Sequence, residues 1–145
     1  MIPENTLVYY VTQILNGHIH QEQLAFPWGA IPVQVTSAAG AFNWGGYSAD
    51  IIPAAATAYE FDLHWAVISN ASANADYEME FYYGPTDIMA SRAKFSRTAP
   101  FTSSATIPLM SHLIPAGQRV RARLRDSAGA SNCFVAVFCH EYEPH

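Results

Sequence analysis

In residues 118–126, QRVRARLRD, every second side chain is a guanidinium: Arg119, Arg121, Arg123 and Arg125, with Val120, Ala122 and Leu124 between them. A period of two sends alternate side chains to opposite faces of an extended strand. The stretch can therefore bury its apolar set only as a β-strand, with a row of like charges along the other face. A helix would scatter both sets around its axis. Four of the seven Lys and Arg of the chain lie in this row, so compensating charge must come from elsewhere.

The same alternation recurs. IPVQVTS (31–37) separates Val33 and Val35 from Gln34 and Thr36. YEFDLHWAV (59–67) puts Tyr59, Phe61, Leu63, Trp65 and Val67 on one side, with Glu60, Asp62, His64 and Ala66 on the other. DYEMEFYY (76–83) sets Tyr77, Met79 and Phe81 inward and Asp76, Glu78 and Glu80 outward. CFVAVFC (133–139) is apolar on both faces, as in a central strand. Turn-like breaks at 16–17, 37–40, 44–46, 69–75, 83–85, 114–117 and 126–132 separate the runs. The predicted strands lie near 6–15, 31–36, 47–52, 58–68, 76–83, 88–96, 105–110, 118–125 and 132–142, and residues 20–30 read as loop or arm. No stretch sustains a helical period. The expectation is an all-β chain: a single antiparallel, jelly-roll-like β-sandwich of about eight strands over 31–145. Residues 1–30 would supply an extended N-terminal arm or first strand.

Charge is sparse and segregated. Only 13% of residues are charged, about half the proportion of an ordinary soluble domain, which suggests surface hidden in an assembly. Residues 1–91 hold nine acids and no Lys or Arg; residues 92–125 hold all seven bases and no acid. The formal net charge of −5 disfavours nucleic acid as a partner. No run reaches the length of a membrane span, and the N-terminus lacks the basic start of a secretory signal, so synthesis in a cytoplasm is expected. Cys133 and Cys139, six apart on one strand, would be separated by about 20 Å, far beyond disulfide reach. Two reduced core thiols are expected.

The arginine row has two candidate counterparts, Glu60 with Asp62 and Asp76 with Glu78 and Glu80. Opposite charges across antiparallel strands stabilise their pairing and fix register. The row is therefore expected to face an acidic strand, its own or that of a neighbouring subunit.

Catalytic constellations are scarce. His18 and His20, followed by Glu22, have the i, i+2 spacing that puts two imidazoles on one strand face. They are weak metal candidates, and the spacing departs from that of the cupins, whose HxH motif has its Glu further on. Ser48 in GGYSAD lacks the second glycine and strand-to-helix setting of a nucleophile elbow. No phosphate-binding or dinucleotide fingerprint occurs. No cofactor and no enzymatic activity are expected. Trp44 and Tyr47, beside Gly45 and Gly46, are candidates for an exposed aromatic surface that could stack on a sugar, while Trp65 is expected in the core. Asn70-Ala71-Ser72 matches a glycosylation acceptor.

Three segments carry a family resemblance: FNWGGYSADIIPA, YEFDLHWAVISNASANADYEMEFYYG and LIPAGQRVRARLRDSAGASNCFVAVFCHEY. In their order and spacing, over about residues 42–142, the chain resembles small jelly-roll virion proteins of tailed bacteriophages. The resemblance implies a head decoration (cement) protein, head fibre or tail-associated subunit, usually trimeric, located in the virion. It would contact the major capsid protein or another virion protein. Its alternatives are a tail-fibre module recognising a host glycan and a cupin-like metal-dependent enzyme.

Overall fold

The computed structural model describes residues 22–29, 31–98 and 104–144. Among them are eight strands and no helix: β1 (Glu22–Phe26), β2 (Val33–Thr36), β3 (Glu60–Ser69), β4 (Ala75–Tyr83), β5 (Ile88–Arg97), β6 (Ala105–Pro108), β7 (Val120–Asp126) and β8 (Asn132–Tyr142). All pairings are antiparallel. The first sheet has the order β1-β8-β3-β6, with β2 beside β1 on the same flank of β8; the second has the order β5-β4-β7. The predicted strand at 6–15 lies outside the described residues. Part of 20–30, expected as loop or arm, forms β1, whose Phe26 is buried.

The two sheets enclose one core. The first contributes Phe61, Leu63, Ala66, Val135 and Val137, and the second Met79, Phe81, Ala93, Ala122 and Leu124. Strand β8 is central, paired with β1 and β2 on one side and β3 on the other; of its two apolar faces, one is in the core and the other, with Phe134, Ala136 and Phe138, is partly exposed. Cys133 and Cys139 are free and fully buried on its inner face.

Strand β3 departs from its sequence pattern. Its alternation runs unbroken from Tyr59 to Val67, yet the register to β8 shifts between Leu63 and Trp65. One extra residue at His64 makes a β-bulge, and a bulge exchanges the faces beyond it. Phe61 and Leu63 are in the core before it, and Ala66 and Ile68 after it. Trp65, expected inside, is 37% exposed on the outer face.

The predicted strand at 47–52 is likewise replaced, by an irregular strap along the free edge of β7. The backbone N–H groups of Phe42, Gly45, Ser48 and Ile51 donate to the carbonyls of Asp126, Leu124, Ala122 and Val120. Three residues of strap thus span two of β7, a stretched run of bulges that joins the ladder only at the Ile52–Val120 bridge. Gly45 is required there, because a Cβ would run into the carbonyl of Thr36.

Burial pushes both cysteine thiols up to about 12. Native protein at pH 8 should leave both unmodified by a thiol reagent over minutes, and denatured protein should react at both. Rapid labelling of the native chain would contradict their placement.

Candidate functional site

The arginine row and its counterpart meet on the outer face of the second sheet. Antiparallel pairing of β4 with β7 sets Glu78 opposite Arg125, Glu80 opposite Arg123 and Tyr82 opposite Arg121. Arg125 donates from Nε and Nη2 to one oxygen of Glu78, at 3.0 and 2.7 Å. Arg123 does the same to Glu80, at 3.1 and 2.9 Å. Arg121 forks onto both oxygens of Asp87, and Arg119 reaches the same carboxylate at 4.0 Å.

Arg92 on β5 closes the ladder from the other side, donating to the second oxygen of Glu80. Its Nε lies 3.2 Å from Oε1 of Glu78 without hydrogen-bond alignment. Each carboxylate is covered by the guanidiniums it binds. As a result β4 is buried on both faces, with Glu80 only 1% exposed.

A second layer lies over the guanidiniums. Trp44 sits 4.5 Å from both Arg123 and Arg125, Tyr47 4.3 Å from Arg121, and Tyr82 5.0 Å from Arg123. Phe42 stands 6.0 Å from Arg125. These are cation–π distances. The strap's three-residue step brings Trp44 and Tyr47 to the arginines, Tyr82 reaches Arg123 from β4, and the charge of Asp50, three residues after Tyr47, also acts on Arg121.

Burial pushes the Glu80 carboxyl up, but the Tyr82 hydroxyl and the guanidiniums of Arg123 and Arg92 outweigh it and hold Glu80 below its ordinary value. The bond from Arg121 likewise holds Asp87 low. Burial and the Glu80 bond push the Tyr82 phenol up to about 12.

The expected site residues therefore divide. Arg119, Arg121, Arg123, Arg125, Glu78, Glu80 and Trp44 come together within one chain. Asp76, at the end of the acidic row, accepts from Ser96 at 2.7 Å and joins no ion pair among the described residues. Glu60 and Asp62 do not face the arginines, because β3 belongs to the other sheet. Asp62 accepts instead from Tyr142 at 2.7 Å, and Glu60 is exposed.

Asp87 and Arg92 belong to the ladder without having been expected in it. Asp87 lies in the β4–β5 turn, outside any alternation, and Arg92 starts a short alternation with Lys94 and Ser96 on β5, opposite the acidic row. His18 and His20 lie outside the described residues. Among the described residues, no group of three or more His, Cys, Asp or Glu is placed to hold a metal ion. Compared with models of protein families, with curated proteins and with solved structures, the chain matches none.

The arrangement serves cohesion. Replacing Glu80 by Ala leaves Arg123 and Arg92 without their shared carboxylate and opens a void under them. Both guanidiniums keep some solvent, so the expected loss is about 2–3 kcal/mol. Glu60→Ala should cost under about 0.5 kcal/mol, and urea midpoints would separate the two. Because Glu80 and Asp87 are held low, they contribute stability above the unfolded carboxylate range and lose it as pH falls through their folded values. Unfolding free energy should therefore drop steeply below about pH 4, and Glu80→Gln should flatten that limb.

Proposed function

We propose that this chain is a non-enzymatic structural protein of a tailed-bacteriophage virion, a homotrimeric decoration (cement) protein that binds and stabilises the outside of the head. The observation that carries the reading is the contrast between the two outer sheet faces. On the second sheet, the row that could have bound a charged neighbour is neutralised within the chain. On the first, Trp65, Val67, Phe134, Ala136 and Phe138 point away from the core and remain partly exposed. Paired positions Trp65–Phe138 and Val67–Ala136 make them one continuous apolar strip. Such a strip is suited to burial against another subunit or a capsid surface, where stable contacts remove about 800 Å² per partner from water.

The strand order also supports a jelly roll. With the strap counted beside β7, the layers read β2-β8-β3-β6 and strap-β7-β4-β5. The chain crosses between them as a double Greek key does.

Light scattering should give about three times the 15.9 kDa chain mass, unchanged between low and high salt because the arginine ladder is closed within each subunit. Trp65→Glu with Phe138→Glu should yield monomer. A wild-type monomer would overturn the trimeric reading, and a trimer that salt dissolves would overturn its apolar interface. Attachment to the particle is tested by sedimentation with virus heads. Removal of residues 1–15 should weaken co-sedimentation and leave the β-sandwich folded, and undiminished attachment would exclude a role for that segment.

A further inference from the structure

Beside the ladder, on the same outer face, a groove of about 370 Å³ is lined by Phe42, Asp76, Glu78, Lys94 and Ser96, among others. Its polar groups are unevenly satisfied. Lys94 stands directly across from Glu78 in the β4–β5 register, but Glu78 is engaged by Arg125 and Arg92. Lys94 is exposed and has no carboxylate within 4 Å among the described residues. An ammonium in no ion pair therefore lines the same groove as an aromatic ring, Phe42, that is 49% exposed. The same groove holds a carboxylate and a hydroxyl, Asp76 and Ser96, bonded to each other at 2.7 Å.

We propose that this groove binds an acidic saccharide, with a sugar ring laid on Phe42 and a sugar carboxylate on Lys94. Three features favour that ligand class. A pyranose presents both an apolar C–H face and hydroxyls, which match a ring flanked by Asp76 and Ser96. The sugar carboxylate supplies the counter-charge that Lys94 lacks, in a charge-assisted hydrogen bond. Asp76, which already accepts from Ser96, is an acceptor available to a sugar hydroxyl.

The platform is also held in advance. Phe42 lies over Arg125, which is fixed by two bonds to Glu78, and the Phe42 backbone N–H donates to Asp126 at 2.7 Å. Little ordering then remains to oppose binding. None of its residues belongs to the apolar strip of the other sheet.

The test is an NMR titration of isotopically labelled full-length protein with tetragalacturonate and, separately, with its fully methyl-esterified form. Millimolar binding is expected, on the order of 1 mM for a shallow one-ring site, with amide shifts centred on residues 42, 76 and 94–96. Lys94→Gln should weaken it about tenfold, the loss of one charge-assisted bond, and methyl esterification should weaken it comparably. Phe42→Ala should also reduce affinity, while Lys94→Gln, being on the surface, keeps the fold intact as an independent check. No shifts at those residues up to about 10 mM would overturn the proposal. So would affinity unchanged by Lys94→Gln or by esterification.

Discussion

Glu80 is the point on which the second sheet depends. A carboxylate in mid-strand at 1% exposure would destabilise a sheet unless every lone-pair direction found a donor. Here the donors come from three strands at once: Tyr82 on β4 itself, Arg123 on β7 and Arg92 on β5. The carboxylate holds β5, β4 and β7 in one register. A slip by one residue would carry Glu78 and Glu80 into the core and Met79 and Phe81 out of it. The apolar and ionic faces of β4 therefore enforce the same alignment from opposite sides.

The aromatic strap follows from that alignment. Once the guanidiniums are fixed in a plane by their carboxylates, they form a flat, weakly hydrated floor on which Trp44 and Tyr47 can stack. The strap then covers the edge of β7 without needing full strand pairing, and so limits the exposed edge that an isolated sheet would offer to other chains. On the first sheet the corresponding outer surface has no charge ladder and, among the described residues, no aromatic cover: Glu60 and Asp62 lie at one end of it, and the apolar strip at Trp65, Phe138, Ala136 and Phe134 remains open. That asymmetry gives the two faces different capacities: cohesion and a polar groove on one side, apolar contact on the other.

Much of this was legible from period two alone. The all-β class, the β4 and β7 strands and the two buried thiols follow from alternation and spacing. The identity of the arginines' partner did not. Glu60 with Asp62 and Glu78 with Glu80 have the same spacing, and only the assignment of β3 and β4 to different sheets distinguishes them. Trp65 was misplaced because a bulge adds one residue without altering composition; His64 continues a flawless alternation that the backbone does not follow. Asp87 belongs to no periodic run, and the run that holds Arg92, with Lys94 and Ser96, is too short and mixed to stand out as a counterpart to the acidic row. The strap did leave a signal, Trp44, Tyr47 and Asp50 at intervals of three, but that interval matches neither helix nor strand and reads as noise until β7 is beside it.

The three-for-two matching of strap to β7 restricts how this edge can change over evolutionary time. Removing one residue between Phe42 and Ile51 would shift the later rings off their guanidiniums and the backbone donors off their carbonyls. Removing or adding three would preserve both phases while exposing or covering two more residues of β7. Length variation in this segment is therefore quantised. Homologous chains should differ here by multiples of three residues, accompanied by matched changes of two in the strand beside it.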